Sequence, residues 1–89
     1  MAWHIEFEED AERELVRLGT PAAGRITNYL RERLATEQDP RRFGQPLRGP
    51  LHGYWRYRVG DFRIVAQIVE DRLLVLVVRV GHRKDVYDS

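Results

Sequence analysis

Apolar and polar residues alternate at the start of the chain. Trp3, Ile5 and Phe7 lie on one side of this alternation, and His4 falls on the other. A period of two residues is typical of a strand with one buried face. The pattern therefore predicts a half-buried strand over residues 3–7.

Helical spacing replaces the alternation after this first strand. Apolar positions recur every three or four residues from Ala11 to Leu18, and Gly19 is a residue type that commonly ends a helix. Thr20 and Pro21 are typical of a helix start, with Thr as the N-cap and Pro at the first helical position. A second apolar stripe follows at Ala22, Ala23, Ile26, Leu30 and Leu34. Two helices with so short a link predict a helical hairpin.

The second half of the chain combines a loop with three strand patterns. Proline and glycine are dense over residues 37–53, which predicts a loop. Strand-like runs follow over residues 54–59, 62–69 and 72–80. The last run contains six consecutive apolar residues at 73–78, typical of a strand buried on both faces. The order β-α-α-β-β-β predicts one α+β domain over residues 1–89, a two-helix hairpin packed on a mostly antiparallel, four-stranded sheet.

Charge is divided unevenly along the chain. Residues 1–40 carry five Arg against nine acidic residues, a net charge of −4, whereas residues 41–89 carry ten basic residues against five acids, a net charge of +5. Fourteen of the fifteen basic residues are arginines, whose planar guanidinium matches phosphate oxygens. The basic half fits either a surface for a polyanion or a merely solvated surface.

Composition excludes several kinds of site. The chain has no cysteine, which excludes disulfides, thiolate catalysis and cysteine-bound zinc. No apolar stretch approaches the ~20 residues that span a bilayer, and no signal-peptide pattern is visible, so we expect a cytoplasmic protein without membrane contact. The three histidines are scattered, and the acidic residues between Glu6 and Glu14 indicate a solvated helix start. We therefore expect no metal and no cofactor.

The segment over residues 54–65 predicts a β-hairpin with a defined register. Gly60 and Asp61 suit a two-residue type II′ turn, which places Arg58 opposite Arg63 and Arg56 on the same face. The opposite face is then apolar, consisting of Trp55, Tyr57, Val59, Phe62, Ile64, Ala66 and Ile68. Like charges directly across a strand pair destabilise a sheet unless an anion binds there. The hairpin therefore predicts a phosphate-binding surface.

Four successive segments carry a resemblance to a known family. They are Leu47-Arg48-Gly49, Tyr54-Trp55-Arg56-Tyr57-Arg58, Asp61-Phe62-Arg63-Ile64-Val65 and Val80-Gly81-His82-Arg83-Lys84-Asp85-Val86-Tyr87. In this order, and with the same β-α-α-β-β-β plan, the chain resembles RelE-type toxins of type II toxin–antitoxin systems over nearly its whole length. ParE-type toxins, which poison gyrase, share the fold and parts of the pattern.

The resemblance implies an activity and partners. RelE-type toxins cut messenger RNA in the ribosomal A site without a metal: the ribose 2′-hydroxyl attacks the adjacent phosphate and leaves a cyclic phosphate and a free 5′-hydroxyl. The expected partners are a cognate RelB-like antitoxin, messenger RNA and ribosomal RNA.

The resemblance also implies roles for individual residues. Arg56 and Arg58 stand where the family has two basic residues, the first linked to activation of the 2′-hydroxyl and the second to stabilisation of the phosphorane. Arg63 matches a phosphate-binding arginine, and Arg83 matches the arginine that protonates the leaving oxygen. Tyr87 matches a tyrosine that stacks on the displaced nucleotide.

The sequence leaves open which group acts as the general base and which class of function the protein has. A guanidinium remains protonated at neutral pH, so either Arg56 acts only electrostatically or another group such as His82 takes the proton. Arg48, His82 and Lys84 are expected to contact RNA. Two other functions fit the same residues: a ParE-like gyrase inhibitor without nuclease activity, and an RNA-binding module without catalysis.

Overall fold

Two helices pack against one face of a five-stranded sheet in the computed structural model, which describes residues 1–84. The strands and helices are β1 (His4–Phe7), α1 (Glu9–Arg17), α2 (Thr20–Tyr29), β2 (Gln45–Pro46), β3 (Tyr54–Val59), β4 (Phe62–Val69) and β5 (Leu74–His82). A π-helical turn, Leu30–Leu34, continues α2, and 3₁₀-helices occupy Pro40–Phe43, Gly49–Leu51 and Glu70–Arg72. Within residues 1–84, no helix is both long and apolar enough to cross a membrane.

The sheet has the strand order β1-β5-β4-β3-β2, with β1 parallel to β5 and all other neighbours antiparallel. The predicted α+β class, a helical hairpin on a mostly antiparallel sheet, is confirmed. The predicted count of four strands is one short because β2 lies inside the region predicted as a loop. Two residues at a sheet edge, one of them Pro46, carry no alternating pattern from which a strand could be predicted.

The two helices lie where the apolar stripes predict them. α2 begins at Thr20 with Gly19 as its N-cap, one residue earlier than predicted. Gly19 has a φ of 92°, a value that residues other than glycine rarely adopt. One glycine therefore ends the first helix and also turns the chain into the second.

β3 and β4 form the predicted hairpin with the predicted bounds. Arg58 lies opposite Arg63 and Arg56 lies opposite Val65, so the predicted register is confirmed. Gly60 has a φ of 58°, the positive value that a type II′ turn requires at its first central position. The turn residues and the alternation thus specify the same pairing.

The main hydrophobic core lies between the helices and the sheet. Its buried members include Ala11, Ile26, Leu30, Leu34, Tyr57, Val59, Phe62, Ile64, Ala66, Val75 and Val77. A smaller cluster on the other face consists of Leu47 and Val65, with Leu51, Tyr54 and Val78 packed against them. Since β5 contributes to both clusters, the predicted burial of this strand on both faces is confirmed.

β5 begins and ends two residues later than the predicted strand at 72–80. Leu73 has a left-handed φ of 50° and closes the 3₁₀-helix Glu70–Arg72 before the strand begins. At the other end, His82 pairs with Phe62 of β4. The shift places residues 81 and 82 beside the hairpin.

Candidate active site

Three arginines of the hairpin meet on the face opposite the main core. Arg58 and Arg63 are cross-strand neighbours, and Arg56 lies two residues along β3. Arg58 is exposed, while Arg56 and Arg63 are half-buried. Together with Phe43 and Gln45 they line a pocket of about 170 Å³, here called the arginine pocket.

The strand β2 holds one wall of this pocket. Gln45 pairs with Arg56 in the sheet, and its side-chain oxygen Oε1 accepts a hydrogen bond from Nη2 of Arg56. On the same face, Val65 packs with Leu47 in the smaller apolar cluster. The three arginines therefore extend from paired strands, next to a packed apolar cluster on the same face.

No acidic side chain of residues 1–84 lines the arginine pocket. Three guanidiniums on one sheet face repel each other, and Arg58 and Arg63 do so from directly opposed positions. An anion with several oxygens would relieve this repulsion and accept hydrogen bonds from the planar guanidinium groups. The arrangement suits a phosphodiester, and suits still better a phosphorane that carries more negative charge.

A second basic group lies at the end of β5. His82, Arg83 and Lys84 are exposed and, with Asp61, line a separate open pocket of about 610 Å³. The backbone N–H of Arg83 donates a 2.9 Å hydrogen bond to the carbonyl oxygen of Asp61, and the His82 ring lies 4.8 Å from the Phe62 ring, centroid to centroid. These contacts hold His82 and Arg83 against the hairpin turn.

The two pockets are adjacent in the sheet but distinct. Gly81 of β5 pairs with Arg63, and Arg83 follows two residues later. Arg83 thus lies next to the arginine pocket without lining it. Arg48 is exposed between β2 and the 3₁₀-helix Gly49–Leu51, also outside the pocket lining. Tyr87 lies outside the described residues.

Phe43 and Gln45 are pocket residues that the sequence interpretation missed, because both fall in the predicted loop. One signal was available: Asp39 followed by Pro40 is a typical helix start. The side chain of Asp39 accepts a 2.9 Å hydrogen bond from the backbone N–H of Arg41 and so caps the 3₁₀-helix Pro40–Phe43. This bond is the largest of the interactions that lower the pKa of Asp39.

Glu14 corrects the interpretation of the acidic N-terminal region as merely solvated. This side chain is half-buried, and its carboxylate accepts hydrogen bonds from the backbone N–H of Val80 at 2.8 Å and from Nε of Arg79 at 3.1 Å. Among residues 1–84, no three histidine or acidic side chains are grouped so that they could hold a metal ion. Glu14 therefore has a structural contact with β5.

Comparison with known proteins identifies the family. A family model described as the ParE toxin of the type II toxin–antitoxin system parDE matches residues 5–87. The chain belongs to the RelE/ParE superfamily of type II toxins.

Individual members of this superfamily resemble the chain over nearly its whole length. Toxin RelG of Mycobacterium tuberculosis is 31% identical over 87 residues, covering 98% of both chains. The mRNA interferase toxin RelE of Escherichia coli is 31% identical over 92 aligned positions, covering 100% of this chain and 94% of the relative. In the crystal structure of the RelBE2 toxin–antitoxin complex from M. tuberculosis, one chain superposes with a TM-score of 0.85 at 28% identity, covering 96% of this chain and 95% of that one.

As a RelE/ParE toxin, the protein combines a common scaffold with a specific charge arrangement. Arg56, Arg58 and Arg63 supply fixed positive charge around a concave surface, and Arg83 adds another from the neighbouring strand. Cations held in place by secondary structure need little reorganisation when charge develops on a bound group. The site can therefore bind a phosphodiester backbone and stabilise extra charge on it.

Proposed function

We propose that this toxin is a metal-independent endoribonuclease that cuts messenger RNA in the ribosomal A site and so inhibits translation. The observation that carries the proposal is the directly opposed pair Arg58 and Arg63, flanked by Arg56 in a pocket that no acidic residue of 1–84 lines. The 31% identity to a protein named mRNA interferase toxin RelE supports the same activity.

In the proposed reaction, the ribose 2′-hydroxyl attacks the adjacent phosphorus and the bond from phosphorus to the 5′ oxygen breaks. The 2′-hydroxyl loses its proton, the 5′ oxygen gains one, and the products are a 2′,3′-cyclic phosphate and a 5′-hydroxyl. Arg58 and Arg63 bind the non-bridging oxygens and stabilise the phosphorane. Arg83 donates a hydrogen bond to the leaving 5′ oxygen as charge develops there, and water supplies the proton that this oxygen gains.

The proton of the 2′-hydroxyl needs an acceptor other than a guanidinium, since arginine stays protonated at neutral pH. We assign Arg56 an electrostatic role, consistent with its hydrogen bond to Gln45. His82 does not fit this role, because its ring packs against Phe62 on the core side of the sheet and does not line the arginine pocket. We propose that water accepts the proton. Arg48 and Lys84 are proposed to contact the RNA backbone, and Tyr87 to stack on the displaced base.

A RelB-type antitoxin is the proposed inhibitor. A related toxin was solved as a complex named RelBE2, and the fold match to that chain covers 96% of this one. The exposed arginines of the hairpin and tail would attract an acidic or helix-forming segment of such an antitoxin. Cover of the arginine pocket by that segment would block access of RNA.

A translation extract tests the proposal with matched variants. Wild-type protein should cut messenger RNA at the A-site codon, and Arg63→Ala should lower the cleavage rate about 100-fold or more, the usual effect of removing one donor to a transition-state oxyanion. Arg72→Ala is the control, because Arg72 is exposed at the opposite end of β4. Intact messenger RNA in an extract where translation has stopped would refute the nuclease activity.

A second candidate is a ParE-like gyrase inhibitor, which is favoured by the description of the matching family as a ParE toxin. This function predicts gyrase-dependent DNA breaks together with intact messenger RNA. A DNA supercoiling and cleavage assay with purified gyrase, run beside the translation extract, separates the two. RNA binding that weakens with salt, without any cut in either assay, would instead indicate a binding module.

A further inference from the structure

Phe43 is an exposed aromatic side chain at the rim of the arginine pocket. Among the Phe, Tyr and Trp residues of 1–84, only Phe43 is exposed, with 36% of its surface accessible. It lies at the end of the 3₁₀-helix Pro40–Phe43 and helps to line the pocket with Gln45 and the three arginines. A single exposed apolar residue is common in proteins, so its surroundings decide what it does.

The backbone that carries Phe43 is firmly held. The hydroxyl of the buried Tyr57 donates a 2.9 Å hydrogen bond to the carbonyl oxygen of Pro40. Arg41 joins the same helix to Glu70 through a 2.6 Å ion pair and to Asp39 through one of 3.0 Å. A rigid support means that little conformational entropy is lost when a ligand packs on the ring.

Two further guanidiniums lie beside the Phe43 ring. The guanidinium carbon of Arg42 is 4.9 Å from the ring centroid, and that of Arg33 is 5.6 Å from it. Neither arginine forms an ion pair with a carboxylate of residues 1–84. The positive charge of the arginine pocket therefore continues past Phe43 onto Arg42 and Arg33.

An aromatic ring among arginines is the arrangement that binds single-stranded nucleic acid, in which bases stack and phosphates pair with guanidiniums. An exposed cation–π contact contributes about 0.5–1 kcal/mol. Stacking of a base on an aromatic side chain contributes about 1–3 kcal/mol. A base can therefore displace one guanidinium from the ring, which leaves that guanidinium available to a phosphate oxygen.

We propose that Phe43, with Arg33 and Arg42, forms a stacking subsite for a base of single-stranded RNA that flanks the phosphate held in the arginine pocket. This subsite rests on the proposed function, since the RNA is the strand that the arginine pocket cuts. It binds without base-specific hydrogen bonds, because every base offers a π face. The subsite would hold the strand on the side of the pocket away from Arg83, whose own pocket lies past β4 at the end of β5.

Binding of an uncleavable RNA tests the subsite directly. The probe is a fluorescent single-stranded RNA of about eight nucleotides with 2′-O-methyl riboses, which lack the attacking hydroxyl. We expect Phe43→Ala and Phe43→Leu to raise the dissociation constant about 5- to 100-fold, because both remove the π face, and Phe43→Trp to keep wild-type affinity. Val16→Ala is the control, an exposed apolar side chain on α1 with 73% of its surface accessible.

Two further readouts identify the contact. An abasic nucleotide is placed at each position of the probe in turn. At the position of the stacked base, it should abolish the difference in dissociation constant between wild type and Phe43→Ala. Arg33→Ala and Arg42→Ala should each lower the slope of log affinity against log salt by about one unit or less.

The outcomes separate the subsite from the proposed nuclease. If Phe43→Ala and Phe43→Leu bind the probe as wild type does, or if wild type does not bind it, the subsite is refuted, and cleavage in the translation extract still decides the nuclease. If wild type binds the probe through Phe43 but cuts no messenger RNA, the subsite stands as an RNA-binding surface and the nuclease is refuted. Equal loss of RNA binding in Val16→Ala would also contradict a specific contact at Phe43.

Discussion

The carboxylate of Glu14 accepts a 2.8 Å hydrogen bond from the backbone N–H of Val80. β1 ends at Phe7, which pairs with Val77, so the last part of β5 has no neighbouring strand on that side. Glu14, which projects from α1, supplies the acceptor that a longer β1 would have supplied. The helix thereby steadies the strand end that leads to Arg83.

Glu14→Ala should lower the free energy of unfolding by about 1–3 kcal/mol, because the N–H of the buried Val80 loses its acceptor. Glu14→Gln should cost less, since the amide oxygen still accepts this bond. Urea denaturation measures both changes. Glu12→Ala, at an exposed position on the same helix, should stay within ±0.5 kcal/mol. Equal effects of the two alanine variants would contradict the role of Glu14.

Gly44 and Gly24 should respond to alanine with opposite signs. A Cβ atom at Gly44 would lie 2.8 Å from Cε1 of Tyr57 and 3.2 Å from the carbonyl oxygen of Arg56, whereas one at Gly24 would have no atom within 4 Å. Gly44→Ala should therefore destabilise the protein by about 1–3 kcal/mol through overpacking. Gly24→Ala should stabilise it by about 0.5–1 kcal/mol through helix propensity. Thermal denaturation of both variants decides, and a neutral Gly44→Ala would show that Tyr57 has room to move.

Asp39 should make stability depend on acidic pH. Its pKa is lowered, chiefly by the hydrogen bond from the Arg41 backbone, so the folded state binds this proton less readily than the unfolded state does. The stabilisation is therefore complete above the ordinary aspartate pKa of about 3.9 and is lost as the pH falls through the lower folded value. We expect the difference in melting temperature between wild type and Asp39→Ala to be constant near neutrality and to shrink below about pH 4. A difference in melting temperature that stays constant as the pH falls below about 4 would contradict this role of Asp39.

Arg58→Thr should separate stability from activity. Removal of one of two opposed like charges should raise the free energy of unfolding by about 0.2–1 kcal/mol. The gain should be larger at 0.01 M salt, where the Debye length is about 30 Å, than at 0.15 M, where it is about 8 Å. The same variant should lose RNA cleavage in the translation extract. A variant less stable than wild type at low salt would show that the two guanidiniums do not repel each other appreciably.

The hairpin was predictable because its information is local. Gly60 sets the turn and the alternating residues around it set the faces, so the positions of Arg56, Arg58 and Arg63 followed from a dozen consecutive residues. The two helices and the strands β1, β3, β4 and β5 were predictable for the same reason, since each has a local apolar periodicity.

The rim of the pocket was not predictable, because it depends on contacts between distant residues. Phe43 is held through the bond from Tyr57 to Pro40, 17 positions apart in the chain. β5 continues to His82 through pairing with Phe62 and through Glu14, 66 positions before Val80. No local pattern encodes such pairs.

The turn at Gly60 also limits how this toxin can vary. Side chains change face with every residue, so the alternation that places Arg58 in the pocket is the one that buries Tyr57. Insertion of one residue within a strand would reverse the two faces, so that an arginine such as Arg58 would point into the core and the ring of Tyr57 into solvent. Functional homologues should therefore differ in hairpin length by even numbers of residues, or confine odd changes to the turn itself.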